Sequence, residues 1–120
     1  MDVALWTCQG LLAAVFIYSG LQKSIQSKDR MIETGQTGVR PYSLPFIRFI
    51  ALAELAGAAA LILPWATRIL PALTPLAASG LGVIMIGAAR AHARQHEPKN
   101  VTTNLVLLTL CVLVAIGRLA

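Results

Sequence analysis

Four long apolar stretches separated by short polar connections are the feature that most constrains the fold of this chain. They run over about residues 3–23, 44–63, 71–91 and 101–119. A helix needs about 20 mostly apolar residues to cross a hydrocarbon core roughly 30 Å thick. Only 12 % of the residues are charged and 57 % are hydrophobic, whereas about a quarter of a soluble domain is charged. The sequence therefore predicts an all-α, integral membrane four-helix bundle, with residues 1–120 as one transmembrane domain.

Proline, asparagine and glycine residues mark the expected ends of these helices. Pro64 is predicted to end the second helix because proline cannot donate a backbone hydrogen bond. Asn100 is predicted to be the N-cap of the fourth helix. The segment 24–43 is the one long connection, and Gly35 and Gly38 are expected to break a helical extension of the first helix. The sequence therefore predicts a short hairpin between the second and third helices and a longer loop between the first and second.

Lysine and arginine residues are concentrated in the first and third connections. The opposite side of the predicted bundle has Arg68 and Arg118. The positive-inside rule places the more basic side in the cytoplasm, so the hairpin and both termini are expected to be extracytoplasmic, in a bacterial inner membrane. The net charge of +5 does not indicate a nucleic-acid partner, because the basic residues lie between apolar stretches. The basic residues of the two connections are Lys23, Lys28, Arg30, Arg40, Arg90, Arg94 and Lys99.

The cysteine and histidine residues do not form a recognisable metal or redox site. Cys8 and Cys111 are single and far apart, with no CxxC motif, which argues against a thiol–disulfide relay or a cysteine zinc site. They are expected to pack as small hydrophobic residues. His92 and His96 are four residues apart and would share a helix face, but two ligands among basic neighbours make a poor metal site. No metal is expected.

Glu54 is the unusual residue of the second helix, since it lies close to the middle of an apolar stretch. The small residues Ala51, Gly57 and Ala58 share its helical face, and small residues are where membrane helices approach each other. Glu54 is therefore expected to face the bundle. Two interpretations stay open: a ligand or proton site, which is the usual reading of an intramembrane carboxyl, or a hydrogen-bonded carboxyl that fixes helix packing.

The partner of Glu54 is expected to come from another helix. Arg48 lies six residues earlier, which places it about 120° away around the helix, so it is expected at the cytoplasmic rim. Lys23, Tyr18, Ser19 or a polar group of the third or fourth helix is the better candidate. The first helix offers a complementary face made of Gln9, Ala13, Phe16, Gly20 and Lys23.

Other polar and aromatic residues have simpler expected roles. Asn104 and Thr109 on the fourth helix are predicted to form hydrogen bonds between helices. Trp6 and Trp65 fall at the outer interface, where aromatic residues are enriched in membrane proteins.

Three short motifs resemble those of the DoxX-like membrane proteins. The first helix ends in an SGxxK motif, the second contains ExxG, and the third ends with alanines followed by a histidine. The resemblance covers nearly the whole chain and implies a four-helix membrane bundle. The positions that match, and that are expected to bind a ligand or partner, are Ser19, Gly20, Lys23, Glu54, Gly57 and His92.

The resemblance also implies a range of functions. The wider group includes subunits of quinone-linked or thiosulfate oxidoreductases, a maturation protein and a receptor-assembly chaperone. This chain is therefore expected to be an accessory subunit or assembly factor. Its expected partners are a membrane protein, the lipid bilayer or a second copy of itself. Its expected ligand is a quinone or a lipid, and no resident cofactor is expected. One alternative is a proton-coupled small-molecule transporter that uses Glu54, and another is an enzyme with Glu54 and His92 as acid and base.

Overall fold

The computed structural model describes residues 2–119, and it confirms the all-helical fold with four membrane-spanning helices. Within these residues there is no strand, and four of the five α-helices are long and apolar enough to cross a membrane. The elements are α1 (Asp2–Ile25), α2 (Lys28–Glu33), a 3₁₀ turn (Thr37–Val39), α3 (Leu44–Thr67), α4 (Leu73–Arg94) and α5 (Pro98–Leu119).

The four long helices form a closed ring in which each contacts two others. α1 packs along α3 and α4 packs along α5, while contacts between α3 and α4 and between α1 and α5 complete the ring. The "hairpin end" of the bundle holds the turn 68–72 between α3 and α4. The "loop end" holds α2, the 3₁₀ turn and the turn 95–97 between α4 and α5. α3 and α4 are antiparallel neighbours, as the short connection predicts.

The outer surface of the bundle is apolar. Phe49, Leu52 and Val83 are 64 %, 66 % and 68 % exposed, which would be costly in water and is expected in lipid. The interior contains a cluster of tightly packed apolar side chains contributed by all four long helices. Its largest fully buried members are Leu12, Phe16, Leu61, Leu81 and Val114.

Glycine residues set the closest approaches between helices. A Cβ atom on Gly20 would lie 2.8 Å from Leu55 Cγ, and one on Gly57 would lie 2.8 Å from Leu81 Cδ2. α1 therefore meets α3 at Gly20, and α3 meets α4 at Gly57. The predicted small-residue face of the second helix is confirmed, since Ala51 and Ala58 are buried.

The prediction that Pro64 ends the second helix is wrong, because α3 continues through it to Thr67. Proline at position 64 leaves the carbonyl of Ala60 without its usual helical donor. The Thr74 hydroxyl of α4 donates to this oxygen at 2.9 Å. A neighbouring helix thus supplies the missing hydrogen bond, which is how proline is tolerated inside membrane helices.

We expect Thr74→Val to lower the free energy of unfolding by about 1–3 kcal/mol, since it leaves a buried carbonyl unpaired. In a Pro64→Ala background the same substitution is expected to lower the free energy of unfolding much less, because the backbone N–H of residue 64 can then donate to the Ala60 carbonyl. The measurement is a double-mutant cycle of unfolding free energies in detergent. An equal cost of Thr74→Val in both backgrounds would contradict this account.

Two further helix ends differ from the sequence prediction. α5 begins at Pro98, so Asn100 lies inside its first turn and is not the N-cap. The long connection contains a separate helix, α2, whose N-cap Ser27 accepts from the backbone N–H of Arg30. Gly35 follows α2 with a φ of +103°, a conformation open chiefly to glycine, and this confirms it as a break.

Candidate functional site

A cavity of about 680 Å³ lies inside the bundle near the loop end. Its walls come from the loop-end halves of all four long helices, over residues 14–23, 46–54, 83–92 and 104–107. At the hairpin end the same helices are in close contact, as at Gly57 and at Gly117, whose Cβ would lie 2.6 Å from Leu5. The cavity therefore occupies the space where the α1–α3 pair separates from the α4–α5 pair.

The wall of the loop-end cavity combines an apolar surface with a polar cluster. Its apolar part includes Phe16, Val83, Ile84, Met85 and Leu107. Among the lining residues Tyr18, Phe46 and Val83 are 66 %, 43 % and 68 % exposed, so the cavity opens through the side of the bundle. The polar side chains of the wall are Tyr18, Ser19, Lys23, Gln36, Tyr42, Glu54, His92 and Asn104.

Glu54 is fully buried and forms an ion pair with Lys23. Lys23 Nζ lies 2.8 Å from Glu54 Oε1, and the Ser19 hydroxyl donates to both carboxylate oxygens at 3.2 and 3.3 Å. The predictions that Glu54 faces the bundle and that α1 supplies its partner are confirmed. Among residues 2–119 Tyr18 forms no hydrogen bond with Glu54, and its hydroxyl accepts from Gln22 at 3.3 Å. Arg48 donates to the backbone carbonyl of Lys23, so it is not the counter-ion.

The loop between α1 and α3 covers the cavity at the loop end. Gln36 Nε2 donates to the Ser19 hydroxyl at 3.0 Å and to Gln22 Oε1 at 3.1 Å. Gln36 was not singled out by the sequence, because an amide residue in a polar loop carries no pattern that indicates burial. The loop is thus hydrogen-bonded to the same serine that contacts Glu54.

His92 lies at the end of α4 and joins the loop to the turn 95–97. Its Nδ1 is 2.8 Å from Glu97 Oε1, and the Thr37 hydroxyl donates to the same oxygen at 2.8 Å. Gln95 Nε2 donates to the Thr37 carbonyl at 2.9 Å. His96 lies outside the helix with a φ of +60°. Among residues 2–119 no group of three or more His, Cys, Asp or Glu side chains could hold a metal ion.

Glu97 lies outside the membrane-spanning helices, and its pKa is lowered. The hydrogen bond from His92 is the largest cause, followed by that from Thr37. Both bonds favour the ionised carboxylate. The contribution of Glu97 to stability is therefore fully present above its ordinary pKa of 4.5. It is lost as the pH falls through the lower pKa of the folded state.

We expect Glu97→Gln to lower the melting temperature at neutral pH, because a neutral amide oxygen is a weaker acceptor for His92 and Thr37. The difference from the wild type is expected to shrink as the pH falls below 4.5. Melting curves in detergent over this pH range provide the measurement. Glu33→Gln is the matched control, since Glu33 is exposed and its ion pair within residues 2–119 is with Arg30, at 3.7 Å. A pH-independent difference would contradict the lowered pKa.

The structure brings four of the six predicted site residues to one cavity: Ser19, Lys23, Glu54 and His92. Gly20 and Gly57 do not line the cavity, because they lie at the helix contacts described above.

The prediction that Asn104 and Thr109 form hydrogen bonds between helices is wrong. Asn104 lines the cavity, and its Nδ2 is buried without a hydrogen-bond partner in the described part of the chain. The exposed Thr109 donates to Leu105 O of its own helix.

A second polar cluster lies at the hairpin end and centres on Arg118. The Arg118 Nε donates to Gln9 Oε1 at 2.7 Å, and its Nη1 to Asp2 Oδ1 at 2.7 Å. Its guanidinium group stacks over Trp65 and Trp6, at 4.5 and 5.4 Å from their ring centroids. Gln9 Nε2 in turn donates to the Leu61 carbonyl at 2.6 Å. This cluster connects α5 to α1 and α3 and closes the hairpin end.

Together, the four spans and the polar cavity define a small integral membrane protein with a partly polar cavity in its interior. The chain belongs to the DoxX-like family, whose model matches residues 7–114. The family predicted from the SGxxK and ExxG motifs is thereby confirmed. No curated protein and no solved structure matches the chain significantly.

Proposed function

We propose that this protein is an accessory subunit or assembly factor of a membrane complex, and that it binds a lipid-soluble molecule with a polar head in the loop-end cavity. A quinone is the ligand class that this chemistry fits best. The observation that carries the proposal is a single cavity that joins apolar walls to a buried polar cluster and opens through the side of the bundle.

The dimensions and chemistry of the cavity support this proposal. Its volume of about 680 Å³ falls within the roughly 300–1,000 Å³ typical of small-molecule sites. A tail would lie against Phe16, Ile84 and Leu107, and a head would lie near Ser19 and His92. Because the exposed outer surface beside the opening is apolar, such a molecule can enter from lipid without crossing water.

The distribution of charge supports an orientation with the loop end in the cytoplasm and both termini outside, as in a bacterial inner membrane. Lys28, Arg40 and Arg94 lie at the loop end, while Arg118 at the hairpin end is paired with Asp2. A reporter enzyme that is active only in the periplasm is fused to the C-terminus, and this fusion is expected to be active. An inactive fusion would overturn this orientation.

The partner in this proposal is another membrane protein. Affinity purification from native membranes, with proteins and lipids identified in the same eluate, is the direct test. Recovery of one stoichiometric membrane protein supports an accessory role. Recovery of the chain alone, as a homo-oligomer with bound quinone, would retain the binding site and remove the accessory role.

The cavity itself is tested by filling it. Gly87 lines the cavity, and a Cβ atom there would meet no atom within 4 Å, so Gly87→Leu is expected to occupy the cavity without disturbing helix packing. We expect at least about a tenfold loss of affinity for a short-tailed benzoquinone, equivalent to about 1.4 kcal/mol. Equilibrium binding to the purified protein in detergent is the measurement.

Gly80→Leu is the matched control for this experiment. Gly80 lies on the same helix, has equally open surroundings and does not line the cavity. It is expected to keep the wild-type affinity. A wild-type protein that does not bind the quinone, or a Gly87→Leu variant that binds it normally, would contradict the proposal.

A proton-coupled transporter is the second candidate, because the cavity places Glu54 beside any bound molecule. In that case ligand binding would displace the carboxylate from Lys23, and the separated carboxylate would take up a proton. Ligand-induced proton uptake that is absent in Glu54→Gln would favour the transporter. Binding without proton uptake favours the accessory subunit.

A further inference from the structure

We infer that the molecule held in the loop-end cavity has an uncharged head with an acceptor oxygen, such as a carbonyl, and that Asn104 donates a hydrogen bond to it. This inference rests on the proposed function, since it specifies the head group of the ligand that the same cavity would bind. Asn104 lies outside the matched motifs of the sequence, on the one long helix that contributes none of them.

The first observation is the unpaired amide of Asn104. The residue lies on the cavity wall and is 8 % exposed, and its Nδ2 is buried with no hydrogen-bond partner among residues 2–119. Buried polar groups are nearly always hydrogen-bonded, and an unpaired one is destabilising. An occupant of the cavity that carries an acceptor oxygen would supply the missing partner.

The second observation is that the Glu54 carboxylate and the Ser19 hydroxyl already accept hydrogen bonds from the protein. The carboxylate of Glu54 receives hydrogen bonds from Lys23 and Ser19. The Ser19 hydroxyl also accepts from Gln36. The Nδ2 donor of Asn104 is not in use, so the ligand group complementary to it is an acceptor.

The third observation is that the charges of the cavity wall are balanced. Lys23 is paired with Glu54 at 2.8 Å, and His92 contacts the carboxylate of Glu97 at 2.8 Å. A phosphate head group would have to compete with these carboxylates for their partners, and an unpaired charge in an apolar cavity is costly. A neutral carbonyl compound needs no counter-ion, so it fits this wall better than a phospholipid does.

The test compares two probes and two variants of the full chain in detergent. The probes are a benzoquinone with a short alkyl tail and an alkylbenzene with the same tail, which has no oxygen. Asn104→Leu keeps the approximate size of the side chain and removes the donor. Thr109→Val is the matched control, since it removes a polar group from the same helix outside the cavity.

Asn104→Leu is expected to change stability and affinity in opposite directions. The empty variant should melt a few degrees above the wild type, roughly 4 °C, because an unpaired buried donor is gone. Its affinity for the quinone should fall about tenfold, while its affinity for the alkylbenzene is unchanged. Thr109→Val is expected to leave the binding of both probes unaltered.

The outcomes separate this inference from the proposed function. Quinone binding that is lost in Gly87→Leu but retained in Asn104→Leu would overturn the role of Asn104 and leave the cavity function standing. Equal wild-type affinity for quinone and alkylbenzene would overturn it even if Asn104→Leu failed to fold. Preferential binding of an anionic phospholipid in the cavity would also overturn it. A wild-type protein that binds neither probe overturns the proposed function itself.

Discussion

Lys23→Met is expected to lower the free energy of unfolding by about 3–5 kcal/mol, the usual cost of removing one partner from a buried ion pair. Lys23 supplies the 2.8 Å ion pair to Glu54 and a 2.8 Å hydrogen bond to Ser19. Glu54 is 0 % exposed, so without Lys23 it keeps only the hydrogen bonds from Ser19. Thermal unfolding in detergent is the measurement.

Glu54→Leu alone is expected to be less damaging than Lys23→Met. The Lys23 side chain is 12 % exposed and lies near the loop end, so its ammonium group can extend toward the membrane surface, as lysine does near helix ends. Glu54 has no such route. The double variant Lys23→Met/Glu54→Leu removes both charges and is expected to recover most of the loss, because an apolar pair of similar size is often as stable as an ion pair.

Lys99→Met is the control for the loss of one positive charge at the loop end. Lys99 is exposed and takes part in no ion pair among residues 2–119. It is expected to behave as the wild type. A double variant no more stable than Lys23→Met would show that the ion pair is not the source of the effect. Quinone binding is measured separately. Its loss in a double variant that folds normally would favour a ligand role for Glu54 over a packing role.

The fold could be predicted from the sequence because the hydropathy of each stretch depends only on its own residues. Each apolar stretch is long enough to span by itself, and the small residues beside Glu54 indicate which face turns inward. The same locality allowed Lys23 and Ser19 to be proposed as partners. Both lie on the helix face that contains Gly20, where the two helices approach most closely.

The features that the sequence did not reveal depend on contacts between distant residues. Pro64 was expected to end its helix because the Thr74 hydroxyl that replaces its hydrogen bond belongs to another helix. The loop over the cavity is held by Gln36 and Thr37, whose partners are Ser19 on α1 and Glu97 between α4 and α5. No periodicity in a short polar loop indicates such pairings.

From the sequence, Arg118 was interpreted only as a charge at the outer side of the membrane. In the structure it contacts four residues. Its side chain is 4 % exposed and contacts Gln9, Asp2, Trp6 and Trp65. An arginine can satisfy this arrangement because its planar group donates along its edge and stacks on its faces. Arg118 therefore joins α5 to α1 and α3 at the hairpin end.

Arg118→Leu is accordingly expected to lower the free energy of unfolding by about 3 kcal/mol, which combines a lost charged hydrogen bond with the unpaired acceptor it leaves on Gln9. Gln9 is 0 % exposed, so water cannot replace the guanidinium group. Arg118→Lys is expected to recover less than half of the loss, since lysine can neither donate along two edges nor stack between two rings.

Arg68→Leu is the matched control, because Arg68 also stacks over Trp65, at 5.2 Å, but is exposed and its side chain has no buried hydrogen bond within residues 2–119. It is expected to change stability by less than about 0.5 kcal/mol. Thermal unfolding gives the free energies, and the emission of Trp6 and Trp65, the two tryptophans of the chain, should change for Arg118→Leu. Equal losses for Arg118→Leu and Arg68→Leu would mean that stacking on Trp65 is the main contribution, and that the buried bond to Gln9 adds little.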